Sequence, residues 1–311
     1  MPEGSASPGG PAVEVLVDGR TVSVTNPDKV LYPATGTTKL EVVRYYEAVG
    51  EWLVAHTAGR CVTLRRSPDG VDGDSFFTKR CPSHRPPWIP EAAGPGEPEG
   101  AVRYCVLDSR ASLVWAANLA ALEIHTPMAL AADLDAPRAC VFDLDPGPGT
   151  DVVDCARLAL RVREVLGRFD LAAWPKTSGS KGLQVYVPLG AGATHEACAE
   201  FALAVGQLLE VGDPDRVTTT RTRSERTGRV LVDWQQNARF ATTVCVYSLR
   251  GRSTPTVSTP LTWDEVTGGA DSGDASSLRF TATEVLDRLR VHGDLFAPVL
   301  TLEQSLPTPR R

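Results

Sequence analysis

Apolar and polar residues alternate through "VEVLVDGRTVSVT", from Val13 to Thr25, and the alternation breaks once, at Asp18-Gly19. That pattern predicts two half-buried strands joined by a two-residue turn, because Asp-Gly accepts the positive φ angles such a turn needs. The rhythm changes to threes and fours in "TKLEVVRYYEAVGEWLVAHT", which predicts a helix with a Thr and a Lys at its start. "SRASLVWAANLAALEIHTP" predicts a second helix closed before Pro127, and "DVVDCARLALRVREVLGRF" and "HEACAEFALAVGQLLEV" predict two more. "ACVFDLD", "WPKTS", "LQVYVPL", "RVLVDW" and "TTVCVYSL" are short β-rich runs between them. Strands and helices intermixed in this way predict an α+β domain of mixed and antiparallel sheets flanked by helices. Residues 1–12 are Pro/Gly/Ser-rich and apolar-poor, and are expected to form a disordered tail. The folded body is then 13–300, with a polar surface loop at 91–100 and a frayed C-terminal tail at 301–311.

A chain of 311 residues that is 42% hydrophobic can bury a substantial core. Its net charge of -6 gives no global attraction for polyanions, so a nucleic-acid partner requires a local basic surface. The seven cysteines are scattered, without a CxxC pair, and predict free thiols in a reduced cytosolic compartment. Cys81-Pro-Ser-His84 carries half a zinc spacing with no second pair near it, which argues against a structural zinc site. No apolar run approaches the ~18 residues of a membrane span, and the start lacks a signal-peptide pattern, so a soluble cytoplasmic protein with no membrane partner is expected.

Candidate chemistry begins in "VFDLDPGPG". On a strand, residues two apart share a face, so Asp143 and Asp145 project together while Phe142 and Leu144 face the core. The Pro-Gly-Pro-Gly turn is expected to leave the acids exposed at a sheet edge. Paired carboxylates repel unless a cation lies between them, and oxygen ligands suit Mg²⁺ or Mn²⁺. "GRVLVDW" supplies a third acid, Asp233, after Arg221, Arg223, Arg226 and Arg229; three carboxylates suffice for two metal ions. In "KTSGSKGLQVYVPL", Gly179 and Gly182 let backbone N–H groups converge on an anion, with Ser178, Ser180 and Lys181 as further donors.

Together, "VFDLDPGPG", "KTSGSKGLQVYVPL" and "VDWQQNARFATTVCVYSLRGRSTPTVSTPLTWDE" resemble the polymerase domain of bacterial ligase D, within the archaeo-eukaryotic primase superfamily. "TNPDKVLYPATGTTKLEVVRYYEAV", "RCVTLRRSPDGVDGDSFFTKRCPSH" and "SLVWAANLAALEIHTP" extend the resemblance across roughly residues 13 to 300. No ligase or phosphoesterase segment accompanies it, so a free-standing form is expected. The resemblance implies a primase-like catalytic fold and template-directed addition of nucleotides, with ribonucleotides often preferred, at DNA gaps and broken ends. It implies two Mn²⁺ or Mg²⁺ ions on Asp143, Asp145 and Asp233. By the same match His125, Ser178, Lys181, Gln184, Arg226, Gln236 and Arg250 form the nucleotide site. Asn26, Lys29 and Lys39 fall where the family holds a DNA 5′-phosphate, and Phe76 and Phe77 match its template-stacking residues. Nucleoside or deoxynucleoside triphosphates, Ku and a separate DNA ligase are the implied partners, and the setting is cytoplasmic and nucleoid-associated.

One position departs from the family: its "SGSKGLH" ends in histidine, and this chain has Gln184. Glutamine donates an N–H to a phosphate oxygen but carries no charge and relays no proton. Two other readings follow. One is an end-binding paralogue that keeps the phosphate pocket with weakened catalysis. The other is an aspartate-nucleophile phosphatase starting at "VFDLD", which Pro146 after the second acid disfavours.

Overall fold

The computed structural model describes residues 11–95 and 101–307; the expectations for 1–10, 96–100 and 308–311 lie outside it. The opening hairpin forms as its alternation predicts. Strands Val13–Val17 and Arg20–Val24 pair antiparallel, with Val17 opposite Arg20. Asp18 and Gly19 make the turn at φ 51° and 71°. The helix Lys39–Thr57 begins at Thr38, whose hydroxyl accepts from the Glu41 N–H while the Glu41 carboxylate accepts from the Thr38 N–H. This reciprocal cap satisfies two donors that the first helical turn would otherwise strand.

Two sheets organise the molecule. The larger runs, in spatial order, Trp174–Thr177, Leu183–Pro188, Ala139–Pro146, Val230–Asp233 and Val217–Thr218. All its pairings are antiparallel except the last, which is parallel. The smaller runs Thr243–Val244, Ala121–Thr126, Thr63–Arg66 and Phe76–Thr78, antiparallel throughout. Phe142, Leu144, Val185 and Val232 from the larger sheet join Leu158 and Val162 of helix Val152–Gly167 and Val205 of helix His195–Gly212 in one core. Leu64, Leu122 and Ile124 of the smaller sheet pack with Val43, Leu53 and Leu113 in another. Val141 and Tyr186 of the larger sheet also enter this second core, so the two sheets are buried against shared side chains.

Several expectations are corrected. The second helix covers only Arg110–Asn118; Ala120 takes a positive φ of 55°, and Ala121–Thr126 continues as a strand. Helix propensity in "AALEIH" yields to tertiary pairing, because this strand sits between two others. Part of the expected surface loop, Glu91–Gly94, is a strand paired with Val102–Cys105. In "TTVCVYSL" only Thr243–Val244 is strand. The C-terminal tail is docked through its described part: Gln304 donates to the Ala172 and Pro188 carbonyls, and its own carbonyl accepts from Gly190 N–H. Cys81 and Cys105 are joined as a disulfide, contrary to seven free thiols, and this bond also removes Cys81 from any zinc pairing with His84. The pairing follows from the backbone, where Cys81 N–H donates to Arg103 two residues before Cys105. No helix among the described residues is long and apolar enough to cross a membrane.

Candidate active site

Strand Ala139–Pro146 is the middle of the five-stranded sheet, so its acids are not at an edge as the turn suggested. Asp143 is directly opposite Gln184 on one neighbour and Asp233 on the other. Asp143 is 8% exposed, Asp145 is half-buried, and Phe142 and Leu144 occupy the opposite, fully buried face. Burial and the facing charges of Asp145 and Asp233 push the Asp143 carboxyl well above the usual carboxylate range, against the Gln184 hydrogen bond and the Lys176 charge. Burial also raises Asp145, with Arg226 working against it. Repelling carboxylate oxygens at the end of a rigid strand fit a divalent cation of the Mg²⁺ or Mn²⁺ type.

Asp233 is less ready than the other two. Its Oδ1 accepts from the Gln235 N–H at 3.3 Å, and its Oδ2 lies 3.6 Å from Arg221 Nε and 3.5 Å from Gln236 Nε2. Among the described residues, no three of His, Cys, Asp or Glu are gathered as a preformed metal cage. Asp143 and Asp145 therefore line the cleft together, with Asp233 directly opposite Asp143 and held by these partners.

The turn after the acids brings the arginine segment in. Gly147 N–H donates to the Arg229 carbonyl, and a Cβ at Gly147 would overlap the Arg226 carbonyl. Only glycine permits that approach, and it places the Arg226 side chain beside Asp145, whose carbonyl accepts from Arg226 Nη2 at 3.4 Å. The Ser/Gly loop differs from expectation in one respect. Its Ser180 and Gly182 N–H groups donate to Ser178 Oγ, so they stabilise the loop rather than point at an anion. Arg250 fastens the loop from outside by donating to the Ser178 carbonyl at 3.1 Å.

These parts enclose a cleft of ≈ 310 Å³ lined by His125, Asp143, Asp145, Ser178, Ser180, Lys181, Gln184, Arg226, Gln236, Arg250 and Arg252, among others. Each residue expected for metal or nucleotide lines it except Asp233. Arg226 and Arg250 each carry a buried Nε–H without a hydrogen-bond acceptor; Arg250 Nε has only an ion-pair approach of 3.5 Å to Glu123 Oε1. Unpaired guanidinium donors beside paired acids suit a ligand that is itself anionic and bound with cations.

Gln184 is fixed at both ends of its amide. Its Oε1 accepts from the buried Lys176 Nζ at 2.6 Å, and its Nε2 donates to Asp143 Oδ1 at 2.9 Å. The amide expected at a phosphate is here hydrogen-bonded to Asp143 and Lys176. Lys176 was not legible as a site residue, although its register opposite Gln184 follows from the strand pairing. Glu123 was also missed, because its segment looks helical; on a strand it shares a face with His125.

Glu123 is 1% exposed and accepts from His125 Nε2 at 2.9 Å, Arg65 Nη1 at 2.7 Å and Gly251 N–H at 3.0 Å. Burial alone would raise its pKa, but the His125 hydrogen bond and the Arg250 and His125 charges hold it at about 2. A folded pKa below the ordinary 4.5 contributes stability that is complete above that value and is lost as pH falls toward 2. Natural protein is expected to exceed Glu123→Gln in stability by on the order of 3 kcal/mol at neutral pH, with the gap narrowing below pH ~4.5. Urea denaturation midpoints of both proteins across that range check it; a gap independent of pH contradicts the ionised carboxylate.

Asn26, Lys29 and Lys39 also come together. Lys29 N–H donates to the Asn26 carbonyl, and Lys39 N–H to the Lys29 carbonyl. Lys39 is 6% exposed, with Nζ on the Thr25 carbonyl at 2.7 Å; burial, then the Lys29 and Arg66 charges, lower its pKa to about 8. Lys29 pairs at the surface with Asp69 at 2.7 Å. Phe76 and Phe77 are 47% and 59% exposed. The Arg66 guanidinium lies 5.4 Å from the Phe76 ring centre, and the Phe77 ring packs edge-on to His125 at 5.4 Å. The Phe77–His125 contact joins the aromatic strand to the cleft.

Comparison with known proteins places this architecture. Residues 38–296 match the family described as LigD, primase-polymerase domain. The chain belongs to the LigD primase-polymerase domain family. It is 45% identical over 280 residues to the multifunctional non-homologous end joining protein LigD of Mycolicibacterium smegmatis, covering 89% of this chain and 36% of that protein. It is 30% identical over 270 residues to the bifunctional non-homologous end joining protein LigD of Bacillus subtilis, covering 86% and 42%. The chain thus spans well under half the length of these LigD relatives. Its fold superimposes on the polymerase domain of Mycobacterium tuberculosis ligase D, solved in complex with DNA, at a TM-score of 0.82 and 39% identity, covering 91% of this chain and 99% of that one. The LigD polymerase-domain fold is therefore the α+β fold that the sequence implied.

Proposed function

We propose that this chain is a template-directed nucleotidyltransferase that adds nucleotides, ribonucleotides by preference, at DNA gaps and broken ends in non-homologous end joining or a related repair route. The observation that carries this reading is the cleft, where Asp143 and Asp145 stand beside the Arg226 and Arg250 guanidinium groups, each with one Nε–H lacking a hydrogen-bond acceptor, and where His125 packs against the exposed Phe77 ring. The cleft takes the nucleoside triphosphate, with Ser178, Lys181, Arg226, Gln236 and Arg250 on its phosphates and His125 at its mouth toward Phe77. Two Mn²⁺ or Mg²⁺ ions on Asp143, Asp145 and Asp233 would activate the attacking oxygen and steady the leaving pyrophosphate. The arginines and Lys181 neutralise charge that accumulates on the phosphates as the primer 3′-hydroxyl attacks the α-phosphate in line. Phe76 and Phe77 support the template base by stacking, which tolerates any sequence. Ku and a separate DNA ligase are the proposed partners in the repair route.

Extension of a labelled primer across a gap, with Mn²⁺ and each class of nucleotide, tests the reading; a chain that binds the duplex and never extends it in either contradicts it. The phosphate pocket has its own test. Lys29→Ala is expected to weaken binding of gapped duplex about tenfold when the downstream strand carries a 5′-phosphate, and to reduce the salt dependence by about one ion. Without that phosphate the variant and natural protein are expected to bind alike. Equal loss on both duplexes, measured by fluorescence anisotropy, removes the pocket assignment.

A further inference from the structure

Between the cleft and the aromatic strand lies a carboxylate that has no role in the reading above. Glu123 faces Arg65 across one strand pair, and Arg65 faces Phe77 across the next, so the three make a row over three strands. Two residues along its own strand from Glu123, on the same face, is His125. The carboxylate divides its oxygens between the two sides. Oε2 accepts from His125 Nε2, while Oε1 accepts from Arg65 Nη1 and Gly251 N–H and lies in ion-pair range of Arg250. Arg65 continues outward by donating to Ser75 Oγ from Nε and Nη2, at 3.2 and 2.9 Å, next to the aromatic strand. A single buried anion thus holds two cleft-lining groups, His125 and Arg250, and the arginine directly opposite Phe77. Charge-assisted hydrogen bonds away from water are strong and directional, so a shift at one partner is felt by the others.

We propose that Glu123 is a positioning residue that couples the template-facing aromatic strand to the nucleotide cleft, through Arg65 on one side and His125 and Arg250 on the other. The coupling rests on the polymerase reading. Glu123 touches neither base nor phosphate; it sets the imidazole tautomer of His125, since a carboxylate only accepts and Nε2 must donate. Glutamine at this position has the same size but offers an N–H₂ to His125, and it leaves two arginines without their counter-charge.

The test uses the full chain as natural protein, Glu123→Gln, Phe77→Ala and the double variant. Affinity for a non-reactive nucleoside triphosphate with Mn²⁺ is measured on a gapped duplex whose template base pairs with it. Incorporation kinetics on the same duplex supply KM and kcat, and binding of 5′-phosphorylated duplex reports the fold. Glu123→Gln is expected to weaken nucleotide binding about 10- to 100-fold, with KM rising in step and kcat falling less. Phe77→Ala is expected to weaken nucleotide binding in the natural background and to add much less in the Gln background, where only the direct Phe77–His125 contact remains. Nucleotide binding unchanged in Glu123→Gln, or losses that multiply in the double variant, overturns the coupling. Arg65→Met leaves both the Glu123–His125 bond and the Phe77–His125 ring contact in place and is expected to reduce the dependence on Phe77; a dependence left undiminished also overturns the proposal. A natural protein that takes up no nucleotide contradicts the polymerase reading itself, whereas uptake indifferent to Glu123 contradicts only the coupling.

Discussion

Asp143→Asn is expected to lower nucleotide incorporation by on the order of 10³-fold while the protein melts at or above the temperature of the natural chain. Both halves follow from one arrangement. Asp143 is buried in the middle of the sheet, directly opposite Asp233 and two residues from Asp145 on the same face. Its charge is opposed by burial and by both neighbours, so an amide of the same volume relieves repulsion and leaves the packing intact. The same substitution removes an anionic oxygen from the proposed cation site, and no nearby carboxylate replaces it. Asp233→Ala is expected to lose activity to a similar extent. Steady-state incorporation paired with calorimetry reads both quantities; normal extension by either variant removes the assignment, and a large fall in melting temperature for Asp143→Asn shows that the acid is structural.

Gly147→Ala is expected to destabilise the protein by about 3 kcal/mol or more, a larger loss than most single substitutions give. The added methyl would meet the Arg226 and Arg229 carbonyls, and backbone cannot swing aside as a long side chain can. Relief requires moving the Arg226 segment off the strand end, which also takes Arg226 away from Asp145 and should lower nucleotide affinity. Gly149→Ala is the control. Gly149 has a positive φ of 87° but open space around its Cβ position, so alanine there meets only backbone strain, about 1 to 2 kcal/mol. Urea unfolding of the two variants separates the effects; equal losses would mean that the close approach at Gly147 is not what fixes the arginine segment.

The residues that make these predictions possible were legible to different degrees. Asp143 and Asp145 could be placed on one face from strand periodicity alone, and Gln184 could be turned toward them by the same rule. Pairing partners could not: which strands flank the acids is a long-range outcome, and it makes a central strand of what a turn signal suggested was an edge. The helix drawn through Ala121–Thr126 failed for a related reason. Its residues favour a helix locally, and a left-handed Ala120 followed by pairing on both sides overrides them. That one misreading hid Glu123, whose role depends on sharing a strand face with His125. Lys176 was hidden differently, since a buried ammonium held by an amide, a hydroxyl and a carbonyl has no pattern in a sequence. The Cys81–Cys105 bond likewise depends on a hairpin in a segment that composition marks as loop.

The central claim is that this cleft transfers nucleotides with Gln184 in place. Single-nucleotide incorporation into a gapped, 5′-phosphorylated duplex with Mn²⁺, comparing natural protein with Gln184→His, tests it most directly. Gln184 already bridges Lys176 and Asp143, so the natural protein is expected to extend the primer, with histidine changing the rate by no more than about tenfold. Extension by the histidine variant alone would contradict the account and leave the natural chain as a protein that binds DNA ends without completing them.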